Sequence, residues 1–265
     1  MEFCSIASGS SGNCIYAGSD HAAVLVDAGI SGKRVTEGLK QIGHDLSDLS
    51  AILITHEHSD HIQGLGVLAR KCHVPIYATA ATIRQIKRYA AIGKIDEELF
   101  HEVRADEAFT VDDLEVEAFH ISHDAADPVA YRIASGGKSV AVATDMGCFT
   151  DYTVDHLKGL DAVLIEANHD VNMLQVGSYP YPLKMRILGE KGHLSNETCG
   201  ALLGQILHDD MQAVFLGHLS KENNYEALAY ATVCAEVTAG DNPYKAKDFR
   251  IQVAARDHAS ELVAV

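Results

Sequence analysis

The most constraining stretch of the chain is Ala51-Ile52-Leu53-Ile54-Thr55-His56-Glu57-His58-Ser59-Asp60-His61. A short, β-branched apolar run ends at Thr55, and four potential metal ligands follow within six residues. Such a run predicts a buried strand, which leaves the ligands in the loop at its C-terminal edge. While the chain stays extended, the i, i+2 spacing points His56 and His58 the same way. Asp60 and His61 fall where a helix would begin, and so can turn toward a second ion. Imidazole with carboxylate suits zinc, manganese or iron. A His-rich surface loop is the bland alternative, but the order H-x-H-x-D-H directly behind a strand is rarely an accident.

Other apolar runs also end on ligand-grade residues. Ser139–Thr144 reads as a buried strand ending in Asp145, and Val214–Gly217 as one ending in His218. His123 follows the alternating strand Leu114–Ile121, where Leu114, Val116, Ala118 and His120 share a face. Ala22–Val26 stops abruptly at Asp27, where a carboxylate can hydrogen-bond a metal-ligating imidazole from behind. Loops at one edge of a packed sheet bring such residues together. Ser8-Gly9-Ser10-Ser11-Gly12-Asn13 joins the strands Phe3–Ala7 and Cys14–Ala17. It is either a hairpin loop or a backbone nest in which Ser10, Ser11 and Asn13 hold a phosphate.

Helical spacing is read over Ser31–Ile42, Ile62–Lys71, Thr79–Gly93, from Ser195 onward, and over Tyr225–Val237. Asp170–Glu190 reads as two short helices with a break at Tyr179-Pro180-Tyr181-Pro182. Strand blocks alternate with helices, without repeat or linker. The expected class is α/β (α+β): a four-layer αβ/βα sandwich, one domain over residues 1–265, with the metal loop at the edge where two sheets meet. An apolar content of 47% supplies its core. No run approaches the ~20 apolar residues of a membrane helix, so no membrane is expected as a partner. The N-terminus lacks a basic-then-apolar leader, and six scattered cysteines form no C-x-x-C pair, which points to a reducing cytoplasm. The net charge of −16 argues against binding nucleic acid through the overall field, but not through a local groove. Arg70, Lys71, Arg84, Lys87 and Arg88, with Lys184, Arg186 and Lys191, are either such a groove or solvated helix faces.

This order of motifs resembles the metallo-β-lactamase superfamily over nearly the whole chain. By that resemblance His56, His58 and His123 bind one metal, Asp60, His61 and His218 bind a second, and Asp145 bridges them. Glu166-Ala167-Asn168-His169-Asp170 and Gly192-His193-Leu194-Ser195-Asn196 resemble the Glu and His motifs of RNase Z-like phosphodiesterases. The likeness implies that Glu166 orients His193, and that His193 holds the phosphate or protonates the leaving oxygen. Ser8–Cys14, His58–His61, Ser122–Pro128, Glu166–Asp170, Gly192–Glu197 and Gly217–Asn224 resemble the YycJ/WalJ-type exonucleases. That family implies a 5′→3′ exonuclease on duplex DNA with two divalent ions (Mn²⁺, Zn²⁺ or Fe²⁺), a hydroxide between them as nucleophile, and Asp60 orienting it. DNA is then the partner, and no obligate protein partner is evident.

An RNase Z-like RNA nuclease or a cyclic-phosphate phosphodiesterase would need the same centre. A metal-bound regulatory protein without turnover would show a broken ligand set, and every expected ligand is present.

Overall fold

The central strands are nearly continuous apolar runs because they are covered on both faces, whereas strands toward the sheet edges alternate with exposed residues. A computed structural model describes residues 1–265. It contains β1 (Glu2–Ala7), β2 (Cys14–Gly18), β3 (Ala23–Val26), β4 (Leu49–Leu53), β5 (Ile76–Thr79) and β6 (Phe100–Val103). The second half supplies β7 (Ala108–Val111), β8 (Leu114–His120), β9 (Val129–Ser135), β10 (Lys138–Ala143), β11 (Ala162–Glu166), β12 (Ala213–Gly217) and β13 (Ile251–Val253). The terminal β14 (Val263–Ala264) returns to the first half and pairs with β1. One sheet runs β14-β1-β2-β3-β4-β5-β6, and the other β13-β12-β11-β10-β9-β8-β7.

Both sheets follow one plan. An antiparallel meander (β1–β3, and β7–β10) gives way to parallel strands (β3–β6, and β10–β13). Parallel neighbours need crossovers, and these are mostly helical. In the first half they are α1 (Gly32–Gln41), α2 (Ser59–Ile62), α3 (Leu65–Cys72) and α4 (Ala80–Arg88). In the second they are α5 (Asp151–Leu157), α6 (Val171–Val176), α7 (Tyr181–Leu188), α8 (Asn196–Ile206) and α9 (Glu226–Ala239).

Side-chain alternation sorts the apolar residues into three cores. Phe3, Ile15, Val26, Leu53, Tyr131 and Phe215 meet between the sheets, with Phe3 edge-on to Phe215 at 5.6 Å. Cys4, Ile6, Tyr16 and Leu25 point the other way, toward Val35, Leu39, Leu68 and Ile83 of the helices. Val163, Ile165, Val214 and Leu216 face Leu157, Leu202 and Val233. The result is the expected helix–sheet–sheet–helix sandwich. No helix is long and apolar enough to cross a membrane.

Several expected boundaries shift for local reasons. β4 ends at Leu53 rather than Thr55. The helix expected over Ile62–Lys71 breaks at Gly64, whose N–H reaches Ala28 O. The backbone approach is so close there that an added Cβ would lie 1.9 Å from Ile30 O. The helix expected to reach Gly93 stops at Arg88, and a 3₁₀ turn follows. On β8 Leu114, Val116 and Ala118 face the core between the sheets, Phe119 turns the other way to the core under α5 and α8, and His120 at the strand's end is exposed.

Candidate metal centre

Asp27 and His218 stand immediately after β3 and β12, and Asp145 follows the end of β10 after one intervening residue. All three have left-handed backbone, with φ of 64°, 61° and 54°. That conformation is unusual without glycine and marks sites where the surroundings fix the chain. It ends each strand abruptly and turns a buried side chain toward the shared edge of the two sheets. The loop after β4 brings His56, His58, Asp60 and His61 to the same edge.

The potential ligand atoms fall into overlapping groups within 4.8 Å of one another. His56, His58 and His123 form one, and Asp60, His61 and His218 another. Asp145 groups with His56 and His61 on one side and with His193 and His218 on the other, so it lies between the two triads.

Every one of these rings except that of His58 is held from behind. Asp27 is fully buried, and its Oδ2 accepts from His61 Nδ1 at 2.7 Å. The same carboxylate accepts from the Thr55 N–H and hydroxyl at 2.9 Å, and Thr55 Oγ1 in turn meets His56 Nδ1 at 3.0 Å. Gly192 O accepts a hydrogen bond from His123 Nδ1–H at 3.1 Å. Glu166 is fully buried, and its Oε1 accepts from His193 Nδ1 and His218 Nδ1, both at 2.8 Å. Glu166 Oε2 accepts from Met146 N–H and Leu194 N–H, so this carboxylate has no lone pair to spare for a metal. Outer hydrogen bonds of this kind fix the tautomer and aim of a ligating imidazole.

The electrostatics fit cations. His56 Nε2 and Asp145 Oδ2 are buried and make no hydrogen bond. His61 Nε2 stands 3.1 Å from Asp145 Oδ2, although a neutral ring donating from Nδ1 shows that oxygen only a lone pair. A positive charge between them, a proton or a metal ion, resolves the conflict. Burial opposes charge on His218, but Asp145, Asp60 and Glu166 override it and push the ring up to about 10. Burial likewise opposes charge on His61, and Asp27, Asp145 and Asp60 hold it well above the ordinary histidine value. Burial and the nearby His61 keep His56 neutral. Burial holds His123 below the ordinary value as well, and the imidazole and carboxylate donors together suit divalent first-row metals.

A cavity of 220 Å³ opens onto these groups. His58, Asp60, His123, Asp145, His193 and His218 line it, with Tyr179, Leu183 and Arg186 from the α6–α7 region at its side. His193 is the partly exposed imidazole whose Nδ1 is committed to Glu166, which leaves Nε2 without a partner inside the protein. Burial opposes its protonation, but Glu166 and Asp145 raise its pKa.

A family model described as a β-lactamase superfamily domain matches residues 22–219. The exodeoxyribonuclease WalJ of Streptococcus pneumoniae (serotype 2, strain D39 / NCTC 7466) is 41% identical over 260 residues, covering 98% of this chain and 96% of that protein. The chain belongs to the WalJ/YycJ family of the metallo-β-lactamase superfamily. Exodeoxyribonuclease YycJ of Bacillus anthracis, also 41% identical, covers 88% of each chain. Among solved structures, Zn²⁺-bound PqqB of Methylobacterium extorquens shares the fold with a TM-score of 0.72 at 17% identity, over 98% of this chain and 100% of that one.

In this member of the family the structure gathers His56, His58, Asp60, His61, His123, Asp145, Glu166, His193 and His218, with Asp27 behind them. The Ser8–Asn13 loop divides. Ser10 lines the cavity. Asn13 is fully buried, because its Oδ1 holds the Gly9 N–H at 2.9 Å and the Ser8 hydroxyl at 3.2 Å. Its Nδ2 lies 3.2 Å from His61 Nε2, so Asn13 braces the loop and the ring instead of presenting itself to a phosphate. Ser11 is drawn outward to Arg256, 3.3 Å away, and does not line the cavity. Of the two basic sets, Arg186 is paired with Asp124, and Lys184 donates to Gln175 O and Gly177 O.

Sequence reasoning missed Thr55, Asn168 and Ser8. Asn168 donates to His218 O at 2.9 Å, and Ser8 Oγ accepts the His218 N–H at 2.8 Å. Thr55 had a signal, since it directly precedes His56 and follows the same strand. It missed as well that Glu166 orients His218 together with His193.

Proposed function

We propose that the protein is a two-metal phosphodiesterase acting on DNA, an exodeoxyribonuclease that shortens a duplex from its 5′ end. The observation that carries this reading is the partly exposed His193 held by the buried Glu166 beside seven convergent potential ligands, in a chain 41% identical over 98% of its length to a protein named exodeoxyribonuclease WalJ. His56, His58 and His123 would hold one ion and Asp60, His61 and His218 a second, with Asp145 placed to serve either. When bound, two divalent cations lower the pKa of water and neutralise phosphoryl oxygens.

The remaining work belongs to side chains. Asp60 accepts a hydrogen bond from the attacking water and aims it at phosphorus. His193, anchored at Nδ1, turns Nε2 to the scissile phosphate and gives its proton to the leaving oxygen. Glu166 keeps His193 charged and in place. An oriented cation of this sort contributes on the order of 10²-fold or more to the rate.

The test uses Mn²⁺-loaded protein with duplexes labelled at one 5′ end or the other, beside an RNA and a cyclic dinucleotide. Stepwise nucleotide release from the 5′ end of the duplex, abolished in His58→Ala, is expected. Cleavage of RNA or the cyclic dinucleotide with the duplex intact would overturn the substrate and leave the hydrolytic centre standing.

A further inference from the structure

From His61 to Ile95 the chain contains no aspartate or glutamate, yet it holds Arg70, Lys71, Arg84, Lys87, Arg88 and Lys94. Fifteen cations remain elsewhere against all 37 acids. Within this one stretch the charge is opposite in sign to that of the chain as a whole, and Glu97 and Glu98 just beyond it meet only Lys87 and His73. All six cations are exposed, and only Lys87 is ion-paired, to Glu97. Arg70 uses its guanidinium to bind Ile92 O and Lys94 O, which ties the end of α3 to the turn after α4 and brings Arg70 beside Lys94.

The basic stretch starts at the metal edge. Thr79, the N-cap of α4, and Thr82 both donate to Asp127 O, in the loop that follows His123. Ala126 in the same loop donates to Glu57, between two ligands of the first triad. From there α4 carries Arg84 and Arg88 one turn apart on its exposed face. A nine-residue helix is about 13 Å long, and duplex DNA presents one charge per ~1.7 Å of axis, so the helix runs beside several phosphates.

We infer that duplex DNA leaves the metal cavity along α4, with its backbone phosphates held by Arg84, Arg88, Lys71 and Lys94. This rests on the exodeoxyribonuclease reading and adds the path of the uncut duplex. Such a track accounts for how a chain of net charge −16 binds a polyanion. It binds phosphates and not base edges, so it carries no sequence preference.

The test is the double variant Arg84→Glu/Arg88→Glu, with Lys158→Glu/Lys247→Glu making the same charge change on the opposite helical layer. Duplex DNA binding, duplex degradation and hydrolysis of bis(p-nitrophenyl) phosphate are measured across a salt series. For the α4 variant, duplex kcat/KM is expected to fall at least tenfold while hydrolysis of the small diester is unchanged. Its slope of log Kd against log salt should lose about 2, near 0.9 for each phosphate contact removed. The control variant should match the wild type on every readout. Equal losses in both variants would overturn the track, since net charge alone would then explain them. Wild-type behaviour of the α4 variant on a duplex that the wild type degrades would overturn it as well and leave the nuclease reading intact. A wild type that hydrolyses the small diester but neither binds nor degrades DNA would overturn both.

Discussion

Glu166 commits both oxygens to four donors, two imidazoles and two backbone N–H groups. Burial opposes its ionisation, but His193 and its hydrogen bonds hold the carboxyl down to about 2. Glu166→Gln keeps the shape but puts an NH₂ against one pair of donors. We expect kcat to fall on the order of 10²-fold, read in single-turnover assays at saturating metal. Asp27→Asn should act differently, because Asp27 stands behind His61 and reaches His56 only through Thr55. It should weaken metal affinity about 10- to 100-fold with kcat recovered at high metal, as metal titration would show. Ligands were legible in the sequence where they crowd together, as in His56–His61, or follow an apolar run, as Asp145 and His218 do. Their supports were less so. The acceptor for His123 is a backbone carbonyl of Gly192, sixty-nine residues away, which no side-chain pattern reports.

At the scale of elements, β3, β4, β10, β11 and β12 were readable because each is an apolar run with a polar stop close behind it, and β8 because it alternates. Helix limits were less readable where a tertiary contact sets them. Gly64 is the clearest case: Gly64→Ala would press a Cβ into Ile30 O and should destabilise by about 1–3 kcal/mol or more, measured as a lower denaturant midpoint. Asp161 ties the starts of β10 and β12 together through Lys138, the Ser139 N–H and Gln212. Burial opposes its ionisation, but Lys138 and Ser139 outweigh that and lower its pKa. With a folded pKa below the unfolded one, Asp161 contributes stability above the unfolded value of ~3.9, lost as pH falls through the folded value. Asp161→Asn should therefore be less stable than wild type at neutral pH, with the gap closing in acid. An unchanged gap down to the acid transition would contradict this.

For the whole molecule, two sheets of like plan place their parallel strands so that both sets of C-terminal ends meet at one edge. The centre is thus built from both halves, His56 to His61 from one and His123 to His218 from the other. Ions bound there should stabilise the sandwich as a unit. Saturation at about a hundred times Kd adds roughly 2.7 kcal/mol, seen as a rise in Tm that chelator reverses. Alternation of strand blocks with helices made the four layers legible. The pairing of β14 with β1 joins sequence ends that no local pattern links. The central claim, that seven residues from both halves hold two ions, is tested most directly by anomalous diffraction at the metal edge from crystals grown with Mn²⁺ or Zn²⁺. Two peaks are expected, one among His56, His58 and His123 and one among Asp60, His61 and His218, with Asp145 touching both. A single peak, or a second ion held by Glu166, would contradict it.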